Sequence, residues 1–197
     1  MEDSDFNPYL DYVLEVGGSR FADTNFESYQ CPPGDTEAAA KVMAWCDAFS
    51  RDTRLAPFLY GATGTGKTHL GIAALRLLAE KRWPVRYFDV PTRLDKMRSD
   101  IGHHASKPVT AGLKQAHIIL LDELGAVKPT DWVIEQVYLL TDWLWKERKV
   151  VIVTSNKDYS ELAVDLGERT VSRLVDLTRK VQVGGEDYRT LRAKGVL

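Results

Sequence analysis

The stretch GATGTGKT, residues 61–68, constrains this chain more than any other. It fits the spacing G-x-x-x-x-G-K-[ST] without a gap. A loop of this kind must curl so that successive backbone N–H groups point inward at one anion, and glycine allows that curl. Gly61, Gly64 and Gly66 supply it, with Ala62, Thr63 and Thr65 between them. Lys67 is placed to reach the β- and γ-phosphates of a nucleotide, and Thr68 to offer its hydroxyl to Mg²⁺. The run before the loop, PFLYG (57–61), is short, apolar and stopped by glycine, so it reads as a buried strand. The run after it, THLGIAALRLLAEKR (68–82), has helical apolar spacing. The positive N-terminal end of that helix faces the same phosphates.

The alternation continues. TEAAAKVMAWCDAFSR (36–51) reads as a helix with Thr36 as its N-cap. VRYFDV (85–90), HIILLD (117–122) and VVIVTSN (150–156) read as strands. PTRLDKMRSDIG (91–102), DWVIEQVYLLTDWLWKER (131–148) and ELAVDLGERTVSRLVDLTRK (161–180) read as helices, the last with a break at Gly167. VQV (181–183) is a short final strand. Strand and helix in turn predict an α/β fold, a parallel sheet with helices on both faces. Chemistry in such sheets sits at the carboxyl ends of the strands.

Those ends carry polar residues. HIILLDE (117–123) ends in Asp122, placed to hold Mg²⁺ through water, and Glu123, placed to polarise an attacking water. VVIVTSN ends in Asn156, which can orient that water or simply close a turn. A dedicated water activator points to hydrolysis of a nucleoside triphosphate. A kinase would need an acceptor site, for which no separate signature is present.

The net charge of −2 argues against coating nucleic acid by bulk charge. No apolar run reaches the ~18 residues needed to span a bilayer, and the acidic MEDSDFNPYL start is no signal peptide. Cys31 and Cys46 form neither a metal knuckle nor a redox pair, which fits a reducing cytosol. Residues 1–20 read as an acidic arm with a short helix in PYLDYVLEV, 21–36 as an extended lead-in, and 21–197 as one ATPase domain. Of the five tryptophans, Trp45, Trp83 and Trp132 read as packing anchors. Trp143 and Trp145, two apart on one helix, must face different sides, so one is expected at the surface.

GATGTGKTHLGIAAL, IILLDELGAVKPTDW, EQVYLL, VIVTSN, GERTVSRL and GEDYR, with the lead-in FADTNFESYQ, together resemble the DnaC/IstB-like AAA+ ATPases, the branch of bacterial helicase loaders and transposition helpers. His69 after the loop threonine is part of that likeness. The resemblance implies a P-loop ATPase with a minimal C-terminal lid, ATP and Mg²⁺ as cofactors, and ATP-dependent homo-oligomers that engage DNA. It implies Lys67 and Thr68 as Walker A residues, Asp122 and Glu123 as Walker B acids and Asn156 as sensor 1. The trans arginine finger corresponds best to Arg173, with Arg169 as the alternative. Arg189 and Arg192 are loose sensor-2 candidates. Arg169 and Arg173 lie one helical turn apart, with Asp165 and Asp176 near enough to soften their repulsion.

Two departures from the family pattern stand out. Family members usually carry a separate N-terminal domain, where this chain has the short acidic arm. TDWLWKERK replaces the arginine-tyrosine pair that often precedes the sensor strand. The basic stretch 96–114, with Lys96, Arg98, Lys107 and Lys114, is a candidate contact for single-stranded DNA or an ordinary solvated surface. A metal site at His103 and His104 lacks accompanying ligands. The functions that fit are a loader acting on a replicative helicase, a helper acting on a transposase, and an ATP-switched binding protein with little hydrolysis. A small-molecule kinase is the remaining alternative.

Overall fold

The computed structural model describes residues 8, 9, 12, 21–30, 37–100 and 108–195. The elements run α1 Ala38–Asp47, β1 Ala56–Tyr60, α2 Lys67–Glu80, β2 Val85–Asp89, α3 Val90–Ser99, β3 Ile118–Asp122, α4 Asp131–Lys146, β4 Val150–Ser155, α5 Tyr159–Leu166, α6 Glu168–Leu177, β5 Thr178–Gln182 and α7 Tyr188–Ala193. The five strands form one parallel sheet in the order β2-β3-β4-β1-β5. The first strand lies inside the sheet, so the carboxyl ends of β1, β4 and β3 are neighbours. The phosphate-loop sequence, Asp122 and the Thr154–Asn156 end therefore converge on one rim.

Alternate residues along each strand point to opposite faces. Leu59, Ile118, Leu120, Val150 and Ile152 pack under α1 and α2. Phe58, Ile119, Leu121, Val151 and Val153 pack under α3 to α6. Burial on both faces explains why β3 and β4 are continuous apolar runs rather than alternating ones.

Strands β1 to β4 and most helix starts fall within two residues of the sequence reading, but α1 stops at Asp47, four residues short of 51, and α3 at Ser99. The end of the chain departs further. Gly167, at φ 85 and ψ 149, breaks α5 from α6 as expected, but the helical reading to 180 overruns. Helix α6 stops at Leu177, and Thr178 turns its hydroxyl back onto the Leu174 carbonyl at 2.5 Å while its backbone becomes extended. Thr178–Gln182 then pairs along all of β1, so the final strand starts three residues before VQV. Edge pairing to β1 overrides the helical periodicity there. Helix α7 was not foreseen.

The described part of the lead-in, 21–30, is a series of turns rather than an extended chain: Asn25 and Ser28 bond each other reciprocally, and Thr24 N–H donates to Phe21 O. Asp89 caps α3, accepting from Thr92 N–H, and Pro91 sits in the first turn. Thr36, Cys31, His103, His104 and Lys107 lie outside the described residues. Trp145 is 44% exposed and Trp143 packs against the core, as their spacing requires. No helix among the described residues is long and apolar enough to cross a membrane.

Candidate functional site: a nucleotide cleft at the rim of the sheet

Lys67 opens α2 behind Gly66, which takes φ 93 to turn the loop into the helix. The Lys67 ammonium donates to the Gly61 and Ala62 carbonyls at 3.0 and 2.6 Å, which holds it across the mouth of the loop. Thr65 ties the loop to itself through the Ala62 carbonyl at 3.0 Å. Burial pushes the Lys67 pKa down to about 8, against the opposing charges of Asp122 and Glu123.

Asp122 is the hub of the site. Its Oδ1 accepts from Thr68 at 2.9 Å and from Thr154 at 2.6 Å, and its Oδ2 accepts from the Tyr87 hydroxyl at 2.9 Å. Burial, followed by the charge of Asp122, raises the Tyr87 pKa well above its ordinary value, so the phenol is a donor. Glu123 sits at φ 58, a left-handed conformation uncommon outside glycine and a recurrent mark of functional strain. Its N–H is held by Thr154 Oγ1 at 2.9 Å. The next residue, Leu124, donates its N–H to the Thr154 carbonyl. Ser155 fixes the turn further by donating to Leu124 O at 2.7 Å. The ends of β3 and β4 are thus stitched together, and Glu123 and Asn156 line the same cavity as Lys67 and Thr68.

That cavity holds about 520 Å³, room for a nucleotide. Its remaining walls were largely missed by motif reading. Phe21, Thr24, Ser28, Tyr29 and Gln30 come from the lead-in, and Tyr188, Arg189 and Arg192 from α7. His69 explains how the lead-in is held. Its Nε2 lies 2.8 Å from the Asn25 carbonyl, which can only accept, so Nε2 carries the proton. Burial pushes the ring's pKa down. Tyr29 stacks edge-on against His69 and donates to the Thr65 carbonyl at 3.3 Å. Helix α7 is held equally closely. Tyr188 N–H donates to Gly64 O at 3.0 Å, and its hydroxyl donates to Gln30 at 2.6 Å. The sequence signals for these walls are the family likeness of FADTNFESYQ and GEDYR and the sensor-2 candidates Arg189 and Arg192, both of which line the cavity.

Thr68 and Asp122 offer the hard oxygen donors that Mg²⁺ takes alongside water and phosphate oxygens. The inward loop and the ammonium suit a triphosphate. The residues present therefore fit a Mg²⁺-nucleotide.

A family model described as "IstB-like ATP binding protein" matches residues 23–195. The chain belongs to that family. The parallel five-stranded sheet flanked by helices has the AAA+ P-loop fold of the DnaC and DnaA structures. Over 103 residues the chain is 30% identical to phage-like element PBSX protein XkdC of Bacillus subtilis (strain 168), covering 49% of this chain and 38% of that one. A solved structure of the DnaC helicase loader superposes with a TM-score of 0.72 at 21% identity, over 85% of this chain and 100% of that one. AMPPCP-bound DnaA from Aquifex aeolicus superposes at 0.67 and 21% identity, over 88% and 54%. The chain spans less than half the length of the curated relatives it matches.

Arg169 and Arg173 of this IstB-like chain do not line its own cavity. Arg169 is exposed beside a groove formed by Ile134, Tyr138 and Leu166. Arg173 is ion-paired with Asp142 of α4 at 2.6 Å and lies over the Tyr138 ring at 4.8 Å. Among the described residues neither aspartate forms an ion pair with these arginines: Asp165 pairs with Lys157, and Asp176 accepts from Trp145 Nε1. Among the expected DNA contacts, Lys96, Arg98 and Lys114 are exposed, and Arg98 lies over the Trp132 ring at 5.3 Å.

Proposed function

We propose that this protein is an ATP-hydrolysing assembly factor of DNA replication that loads a replicative helicase onto single-stranded DNA through ATP-driven self-association. The observation that carries the hydrolytic part is the Thr68–Asp122–Thr154–Glu123 chain of hydrogen bonds beside the phosphate loop. It holds the Asp122 carboxylate beside Thr68 and anchors the backbone of Glu123, a residue of the cavity wall. The likeness of fold to the DnaC helicase loader supports the loading role.

In this reading the loop N–H groups and Lys67 hold the β- and γ-phosphates. On binding, Lys67 leaves the Gly61 and Ala62 carbonyls for phosphate oxygens. Bound Mg²⁺ supplies neutralisation of charge on those oxygens. Thr68 and Asp122 are its holders. Glu123 accepts a hydrogen bond from the attacking water and takes its proton as the water's oxygen bonds to γ-phosphorus and the bond to the β–γ bridging oxygen breaks. Asn156 orients that water. Arg173 or Arg169 completes a neighbouring subunit's site, where extra positive charge stabilises the transition state. Lys96, Arg98 and Lys114 are the described cations that would track a DNA backbone, with Lys107 beside them in sequence. A transposition-helper role is the second reading, favoured by the family's description as IstB-like.

Glu123→Gln is the test of hydrolysis. It should keep ATP binding and lower turnover by about 10²-fold or more, the usual worth of a general base. Equal turnover in the two proteins would refute the scheme. Light scattering with a non-hydrolysable ATP analogue and single-stranded DNA tests assembly, and a monomer under every condition refutes the shared site. Pull-down with a replicative helicase against a transposase separates the two partner readings.

A further inference from the structure

The carboxylate of Asp122 has a donor that the Walker motifs do not supply. Tyr87 lies on β2, the edge strand next to β3, in register opposite Leu120, two residues before Asp122. Both side chains lie on the same face of the sheet as α2, and the Tyr87 hydroxyl reaches Asp122 Oδ2 at 2.9 Å. With Thr68 and Thr154 on Oδ1, the donors to Asp122 among the described residues come from three separate elements. A carboxylate held on one oxygen alone can still swing about its terminal torsion, which is broad. A donor on the second oxygen stops that rotation.

Tyr87 is itself held from outside the sheet. As an edge strand, β2 presents unpaired backbone groups on its free side. The Tyr12 hydroxyl occupies them at Tyr87, donating to its carbonyl at 3.2 Å and accepting its N–H at 3.3 Å. Arg86 lies 4.3 Å over the Tyr12 ring, and Phe21 meets the Tyr87 ring edge-on at 6.1 Å. A side chain from the N-terminal segment thereby takes the place of a sixth strand at the residue that holds Asp122.

We propose that Tyr87 is a positioning residue for the metal-holding carboxylate Asp122, and that Tyr12 sets Tyr87 in place, so that docking of Tyr12 on β2 tunes how well the site takes Mg²⁺. This rests on the Mg²⁺-nucleotide reading of the cleft. It also links Tyr12 to the active site through two hydroxyl groups, its own and that of Tyr87.

The test measures binding of a fluorescent ATP analogue to the full chain across a Mg²⁺ titration, and separately in EDTA. Tyr87→Phe keeps the ring and its packing and removes only the donor. It should raise the half-saturating Mg²⁺ concentration by about three- to tenfold, the size of one charge-assisted hydrogen bond discounted for partial exposure. Binding in EDTA and the melting temperature should stay close to wild type. Tyr12→Phe should shift the Mg²⁺ requirement in the same direction by less. An unchanged or lower Mg²⁺ requirement in Tyr87→Phe overturns the proposal, as does an equal loss of binding in EDTA, which is the mark of a merely structural role. Asp122→Asn is the control. If wild type and Asp122→Asn respond alike to Mg²⁺, the reading of the cleft itself fails, and the proposal with it.

Discussion

The guanidinium of Arg173 is ion-paired with the carboxylate of Asp142 at 2.6 Å, and both side chains are more than three-quarters buried, at 22% and 15% exposure. Asp142 also pairs with Lys146 at 2.6 Å, and hydrogen bonds from Lys146 first and Arg173 second hold its pKa below the usual carboxylate range. Arg173 Nε has no hydrogen-bond partner among the described residues. The arginine expected to serve a neighbouring subunit is thus held on its own α4 in the single chain.

If Arg173 is the trans finger, Arg173→Ala leaves ATP binding by the monomer intact and abolishes the rise of specific hydrolysis with protein concentration. Asp142→Asn weakens the hold and should lower the concentration at which that rise begins. If Arg169→Ala abolishes the rise while Arg173→Ala does not, the finger is Arg169. Hydrolysis rate against protein concentration distinguishes them.

Lys67 gives the cleft a pH dependence. Its pKa in the folded protein is about 8, below the ordinary 10.5, because burial favours the neutral amine. Phosphate binding needs the charged form, so nucleotide affinity should fall above about pH 8, by up to tenfold per pH unit. Calorimetry at pH 8.5 in buffers of different ionisation enthalpy should detect proton uptake on binding. The sign for the nucleotide-free fold is opposite. Between pH 8 and 10.5 the unfolded chain holds the proton that the folded one has lost, so stability rises with pH across that window.

Gly64 connects the phosphate loop to α7. It has φ +79, and a methyl group there would lie 2.1 Å from the Asp187 carboxylate. Gly64→Ala should weaken nucleotide binding by at least about tenfold, since the left-handed conformation alone costs a substituted residue roughly 1–2 kcal/mol. Adding Asp187→Ala removes the collision but not the backbone strain, so the double variant should recover affinity only in part. Titration of the two variants side by side measures both contributions.

His69 clamps the lead-in rather than the phosphates. His69→Ala removes the bond to Asn25 O and the edge contact with Tyr29. ATP affinity should fall several-fold, by about the worth of one neutral hydrogen bond and an aromatic contact. Turnover at saturating ATP should change little. A loss of turnover with unchanged affinity would place His69 in the chemistry instead.

Local sequence was enough to define the loop 61–68, the buried strands ending at Asp122 and Ser155, and the break at Gly167. Each depends on a short-range rule: glycine at a required left-handed position, apolar runs buried on two faces, and polar residues just past a strand's end. What lay beyond those rules was decided by contacts between distant parts of the chain. The stretch 178–182 has helical neighbours but became a strand, because β1 offered an open edge along its whole length. Asp165 and Asp176 are close to Arg173 in sequence, yet Asp142, thirty-one residues away, holds it because α4 packs against α6. Tyr87 carries no motif, and only the register of β2 on β3 brings its hydroxyl to Asp122. The sequence alone determined which residues can handle phosphate and water. The tertiary structure decided which carboxylate each arginine and tyrosine would meet, because strand register and helix packing set distances that sequence separation does not encode.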